Sequence, residues 1–287
     1  MYTLIAENPY GEQLELTHNP AYAIAEIAGL DPPDASINTS RNAGFDGAVF
    51  NSAYMNSRTI TITIAINYPA EENRINLYKY FKSKFPVRLY YKNVRRDVYI
   101  DGYVQSLQVA FFKKKETAQI TVFCPKPQFN GKQGDTQEYS NLHALFEFPF
   151  EIEIEEGVVQ SIPFSELVFG EEKSIINRGD LETGVTIEIQ AFGSVTNPKI
   201  YNTGTSQYFG LSITLEEGDL IRINTRQSEK EVSLTRAGIT TNIIGYLDQG
   251  STWFQLTPGD NVFTVVADEN PENMNVMFKI IEQYEGV

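Results

Sequence analysis

Thr59-Ile60-Thr61-Ile62-Thr63-Ile64-Ala65-Ile66 alternates without a break. A period of two places Ile60, Ile62, Ile64 and Ile66 on one face and small residues on the other, which predicts a β-strand with one face in a core. Downstream the period changes. Pro69 opens a segment with Glu71 and Glu72 in its first turn, Lys79, Lys82 and Lys84 at its end and Pro86 beyond. This charge order matches the helix macrodipole, and the prolines fit a helix start and stop. Ile75, Leu77, Tyr78, Phe81 and Phe85 predict an apolar stripe packed on a sheet. Three further runs follow, Val87 to Lys92, Val98 to Phe112 with a bulge expected at Gly102, and Thr117 to Cys124; their β-branched and aromatic residues predict a meander. Lys113-Lys114-Lys115-Glu116 reads as an exposed hairpin tip. Upstream of the Ile60 strand, the polar, Gly- and Asn-containing stretch from Asp31 to Asn56 reads as a long loop.

The meander ends at Cys124-Pro125-Lys126-Pro127, since two prolines so close cannot continue a sheet interior. A polar segment, Asn130-Gly131-Lys132-Gln133-Gly134-Asp135, then reads as a linker. The expected organisation is a first domain over 1–130, a linker over 131–140 and a second domain over 141–287. Charge divides the same way. Residues 1–140 carry 15 Lys+Arg against 14 Asp+Glu and residues 141–287 carry 8 against 23, so the total of −14 splits into +1 and −15. So acidic a chain repels phosphate backbones and anionic membranes, which disfavours general nucleic-acid binding. No apolar stretch reaches the roughly twenty residues of a membrane helix. The first residues, Met1 to Pro9, show no secretory pattern, and synthesis in a cytoplasm is expected.

Past the linker, Phe146-Glu147-Phe148 and Phe150 to Glu155 alternate apolar with acidic residues. Alternating runs continue at Val185 to Ala191, Lys199 to Asn202, Leu211 to Leu215, Leu220 to Asn224, Val232 to Thr235, Ile243 to Leu247, Trp253 to Leu256, Val262 to Ala267 and Val276 to Ile281. Turn signals such as Glu217-Gly218-Asp219 and Pro258-Gly259-Asp260 separate them. Short strands so punctuated predict an antiparallel sandwich or jelly roll.

Chemistry is sparse. His18 and His143 lie in polar contexts outside any nucleophilic motif and read as surface histidines. Cys124 continues an apolar run and reads as a core residue; one thiol and two histidines cannot fill a zinc site. Glu151, Glu153, Glu155 and Glu156 could support glycoside hydrolysis, but same-face acids on a strand are also what solubility produces. Asp268-Glu269-Asn270 with Glu272 lacks the spacing of a calcium helix-loop-helix loop. Tyr246 and Trp253 could contact a sugar ring, or Trp253 could be core. No cofactor and no metal is expected. An assembly component, a carbohydrate-binding module or adhesin, and a glycosidase remain as classes.

Several motifs in order resemble the distal tail proteins of long-tailed bacteriophages. In the first half they are Gly44-Phe45-Asp46-Gly47, Tyr54 and Arg58 before the Ile60 strand, and Val122-Phe123-Cys124-Pro125. In the second they are Ile176 to Asp180, Asn197-Pro198-Lys199-Ile200, Glu217 to Ile221, Ser251 to Leu256, Pro258 to Asn261 and Tyr284 to Val287. The resemblance implies a mainly β protein, with an N-terminal β-barrel or sheet domain bearing one helix and a C-terminal galectin-like antiparallel β-sandwich. It implies a structural, non-enzymatic part of the virion tail: a homo-hexamer ring between tail tube protein and a tail-tip or tail-lysin protein, supporting a receptor-binding protein. DNA would pass through its channel without specific binding, and nothing would insert in a membrane. Asn38, Arg41, Phe45, Asp46, Tyr54 and Arg58 are the expected subunit-interface residues, because the long polar stretch needs partners that a neighbouring subunit could supply.

Overall fold

A computed structural model describes residues 2–44, 46–111, 115–139, 142–144, 165–167 and 172–287. The chain forms two compact units, Met1–Gln133 with Gln283–Val287 and Gly134–Glu282. The alternation Phe146 to Glu155, the acids within it, Phe45, and Lys113 and Lys114 of the expected hairpin tip lie outside the described residues. Among the described residues no helix is long and apolar enough to cross a membrane.

The first unit is built on β1 (Thr3–Glu7), β2 (Gln13–Glu15), β3 (Tyr22–Ala28), β6 (Arg58–Ile66), β7 (Pro86–Lys92), β8 (Asp97–Ala110) and β9 (Thr117–Cys124), hydrogen-bonded in the order β2-β1-β7-β8-β9-β6-β3. β4 (Ala35–Ser40) and β5 (Val49–Met55) form a separate two-stranded sheet, and β10 (Phe129–Gly131) pairs with β8. The predicted isoleucine face is the centre of the core: Ile60, Ile62, Ile64 and Ile66 are buried with Val98, Ile100, Val104, Ile120 and Val122. Each such side chain contributes about 1.5–3 kcal/mol relative to exposure.

The helix α1 (Ala70–Tyr80) is shorter than the charge pattern suggested and packs a different face. Leu77 and Phe81 are buried with Ala70 and Tyr80 against them, whereas Ile75, Tyr78 and Phe85 are exposed. The buried positions keep helical spacing; the pattern was read one position out of phase because apolar residues occupy both sides of the helix.

The expected bulge also moves. The register of β8 shifts between Val104 and Ser106, while Gly102 pairs regularly with Val87. Glycine is required there for a packing reason. A Cβ at Gly102 would stand 2.6 Å from Val122 Cγ1 and 2.8 Å from Cys124 Sγ. Cys124 is itself wholly buried, and burial pushes its thiol pKa up to about 12.

The second unit contains β11 (Asp135–Tyr139), β12 (Leu142–Ala144), β13 (Ser165–Leu167), β14 (Lys173–Asn177), β15 (Val185–Ala191), β16 (Val195–Thr196), β17 (Lys199–Asn202), β18 (Gln207–Gly210), β19 (Thr214–Leu215), β20 (Leu220–Asn224), β21 (Glu231–Arg236), β22 (Ile239–Asn242), β23 (Gly259–Val266) and β24 (Met274–Ile280). Its main sheets run β11-β24-β15-β20-β21-β22 and β14-β23-β17-β18, every pairing antiparallel. One core joins them, with the rings of Phe263 on β23 and Phe278 on β24 centred 5.0 Å apart. This is the expected mainly β sandwich. Two predicted strands are absent: Ile244–Tyr246 is a 3-10 turn, and Trp253 to Leu256 is extended with a single bridge, Leu256 to Thr183.

The expected linker over 131–140 is replaced by strand. After only Lys132-Gln133-Gly134, β11 pairs along β24. Beyond β24 the chain re-enters the first unit, where β25 (Gln283–Tyr284) pairs with β10. Glycine and lysine content suggested a linker, but pairing partners more than a hundred residues away in sequence decide the outcome.

The turn motif Glu217-Gly218-Asp219 is an electrostatic lock. Gly218 supplies a left-handed backbone (φ 86°), Asp219 accepts the Glu216 amide at 2.8 Å, and Arg236 Nε donates to Asp219 Oδ1 at 2.9 Å. The Asp219 side chain is 2% exposed. Hydrogen bonding from Arg236, foremost, holds its pKa below the usual carboxylate value.

Two outcomes follow for stability. Gly102→Val should destabilise the first unit by about 3 kcal/mol, read as a lower urea midpoint by circular dichroism. Trp253, the sole tryptophan, reports the second unit separately by fluorescence and should not move. For Asp219→Asn the loss should be largest above about pH 4, where both folded and unfolded wild-type carboxyls are ionised. It should fade as pH falls through the depressed folded-state pKa, because the wild type then loses the same stabilisation. Trp253 fluorescence against urea at a series of pH values measures it.

Candidate functional site

The stretch read as a long loop is a β-hairpin arm. β4 and β5 pair from Ala35 with Met55 out to Ser40 with Val49, with a register shift after Asn38. Alternation makes the arm amphipathic. Ser36, Asn38, Ser40, Ser52, Val49 and Tyr54 share one face, with Asn51 in the bulge beside them; there Asn38 Nδ2 donates to Ser52 Oγ at 3.0 Å and Ser36 Oγ to Asn56 Oδ1 at 2.9 Å. Ala35, Ile37, Thr39, Phe50, Ala53 and Met55 form the other. On it Ile37 and Phe50 are each 63% exposed. An isolated two-stranded hairpin is marginal in water, and an uncovered apolar face marks a contact site.

Of the expected interface residues, Asn38, Arg41, Asp46 and Tyr54 are brought together on this arm and are exposed. Arg58 is corrected. It is 3% exposed and lies inside the first unit, where Nε donates to Pro127 O at 2.8 Å and Nη1 to Gly29 O at 2.8 Å and Asp31 O at 2.7 Å. Nη2 donates to Glu285 O. Its guanidinium carbon stands 4.6 Å from the centre of the Phe129 ring. Burial, above all, lowers its pKa. Arg58 therefore organises the root of the arm and is not available to a neighbour. The signal missed in sequence was amphipathicity: a bulge breaks the alternation of Val49 to Met55, so a period-two reading fails across it.

The sugar-contact pair is not assembled as a platform. Trp253 packs edge-on against Phe209, with centroids 5.1 Å apart, and Lys230 Nζ lies 5.5 Å from its ring. Tyr246 is exposed on the 3-10 turn. The candidate calcium acids are engaged separately: Asp268 accepts from Asn197 at 2.8 Å and Lys199 at 3.4 Å, and Glu269 from Thr196 at 3.1 Å. Among the described residues no group of three or more His, Cys, Asp or Glu converges on a metal-sized site. His18 is exposed beyond β2, and His143 lies in β12. A cleft of about 630 Å³ in the first unit is lined by Glu7, Arg88, Asp101, Tyr103 and Lys126, among others. Its charges are satisfied locally: Arg88 grips Asp101 at 2.6 and 3.0 Å, and Glu7 accepts from Gln13 and Tyr90.

Two of the second-unit motifs lock turns. Asn177 donates to Leu181 O and Leu256 O while accepting the Gly179 amide, and Asn261 closes the Pro258-Gly259-Asp260 turn through Thr257 N and O. Arg58→Met should lower the stability of the first unit by about 3 kcal/mol, since four carbonyls lose a buried donor; urea denaturation by circular dichroism checks it.

Comparison with known proteins places this architecture. Residues 10–124 match the family described as phage tail protein RIFT-related domain, and residues 178–280 match siphovirus-type tail component, C-terminal domain. No curated protein sequence matches the chain. Among solved structures, the SPP1 Dit (gp 19.1) protein, described as a paradigm of hub adsorption apparatus in phages infecting Gram-positive hosts, is similar with a TM-score of 0.68 at 13% identity, covering 99% of each chain. A chain of the phage P2 baseplate, in its activated conformation with Ca, is similar with a TM-score of 0.53 at 11% identity, covering 100% of each. The first-unit sheet, the second-unit sandwich and both family matches agree, and the chain belongs to the siphovirus-type distal tail protein family, structural components of the phage tail tip.

Proposed function

We propose that six copies of this chain form a ring at the end of a phage tail, joining the tail tube protein to a tail-tip or tail-lysin protein. The observation that carries this reading is the amphipathic arm. Its apolar face, with Ile37 and Phe50 exposed, is left uncovered by the described residues, and a second copy would bury it. Asn38 and Tyr54 on the opposite face of the arm, and Arg41 and Asp46 beyond its strands, are exposed and would meet a neighbouring copy; Phe45 is proposed for the same contact. A first unit of near-neutral charge suits close packing of copies. The second, acidic half keeps projecting sandwiches apart and soluble and offers a mount for a receptor-binding protein.

In this role the protein performs no catalysis, needs no cofactor or metal, inserts in no membrane and lets DNA pass without sequence recognition. It is made in the host cytoplasm and works in the virion tail. The rival carbohydrate-binding reading is weakened by the packing of Trp253 against Phe209.

Ile37→Asp combined with Phe50→Asp tests the arm directly. Both side chains are exposed, so the urea midpoint should stay within about 0.5 kcal/mol of wild type. Ring-sized particles, counted by negative-stain microscopy and light scattering with tail tube protein present, should disappear. Rings that persist in the double variant, or a wild-type chain that stays monomeric alongside its tube protein, would remove the basis for the proposal.

A further inference from the structure

The root of the arm is held by residues that follow the whole second unit in the chain. Gly29, Leu30, Asp31 and Pro32 lead from β3 into β4. Gly29 sits at φ 88°, and a Cβ there would lie 2.2 Å from Thr59 O, so the turn is pressed onto the start of β6. On its other side the turn meets the segment Gln283–Val287. The Val287 amide donates to Leu30 O at 3.2 Å. Gly286 lies so close that a Cβ would stand 3.0 Å from Pro32 Cδ and 3.2 Å from Leu30 O. Arg58 ties both segments together, donating to Gly29 and Asp31 on the arm root and to Glu285 on the returning segment. Phe129, beneath the guanidinium, belongs to β10, which pairs with β25.

We propose that Gln283–Val287 is a latch that fixes the direction of the hairpin arm through Arg58, and that it makes assembly wait for the second unit. Without the latch, Arg58 loses one carbonyl partner, Pro32 loses its packing neighbour, and the arm root keeps contacts on one side only. Because the latch is encoded after Glu282, the arm is aimed only once residues 134–282 have been made and the chain has returned. A chain interrupted within the second unit carries the arm's apolar face but cannot hold it in the direction a ring requires. The consequence for rings rests on the assembly proposed above; the latch itself does not.

The test uses spin labels at Ala48→Cys, next to the outer end of β5, and Val94→Cys, in the turn between β7 and β8 of the same unit. Both positions are exposed, and Cys124 is buried and stays unlabelled. The interlabel distance distribution is measured on the monomer of the wild-type background, of a chain ending at Glu282, and of Gly286→Leu. Latch removal should broaden the distribution about twofold, a signature of a freed segment, and ring counts in unlabelled protein should fall. Gly286→Leu, which keeps the chain length, should broaden it in the same direction and decides the matter if the shortened chain does not fold. Wild-type widths in a folded variant of either kind would overturn the latch. A wild type with a narrow distribution that never forms rings would overturn the ring reading and leave the latch standing.

Discussion

A buried guanidinium is costly to leave without acceptors, and the first unit is arranged around that constraint at Arg58. Four carbonyls from three segments must converge on it. Each comes from a place where the chain leaves regular structure: the turn from β3 into the arm, which supplies two, the proline segment after β9, and the returning segment after β24. None is an amide already committed to a strand ladder. The aromatic face of Phe129 closes the remaining side. The isoleucine core supplies most of the burial energy, but it leaves the direction of the peripheral segments undetermined. Arg58 determines it.

This division of labour explains which parts were legible in sequence. The strand Arg58–Ile66 was legible because its period is unbroken and its partners on both sides share its character. The sandwich was legible because turn residues with specific demands, such as Gly218 at positive φ and Asn261 bonding to its own turn, punctuate it at short intervals. The arm was not, because its strands are rich in serine and asparagine and β5 carries a bulge. Its strand character comes from cross-strand pairing, which a window of sequence does not contain. Arg58 was expected at a subunit interface from the resemblance, but it is buried within the first unit, because its partners lie up to 227 positions away.

The same argument applies to the candidate sites that dissolved. Trp253 and Tyr246 are near in sequence, yet one is packed against Phe209 and the other stands on a 3-10 turn. Acids at 268–272 look like a cluster in sequence, yet backbone direction sends Asp268 to Asn197 and Lys199 and Glu269 to Thr196. Proximity along the chain indicates shared chemistry only when the local conformation makes the side chains converge. Here the conformation separates them, and Asp268 and Glu269 each find hydrogen-bonding neighbours of their own.

A tail-tip component works outside the cell, in oxidising surroundings. The one thiol of this chain, Cys124, is sealed in the first-unit core with an elevated pKa. It offers almost no thiolate, the species that attacks a disulfide or peroxide. In the proposed ring, copies crowded together would therefore not cross-link through it, whatever the redox state of their surroundings.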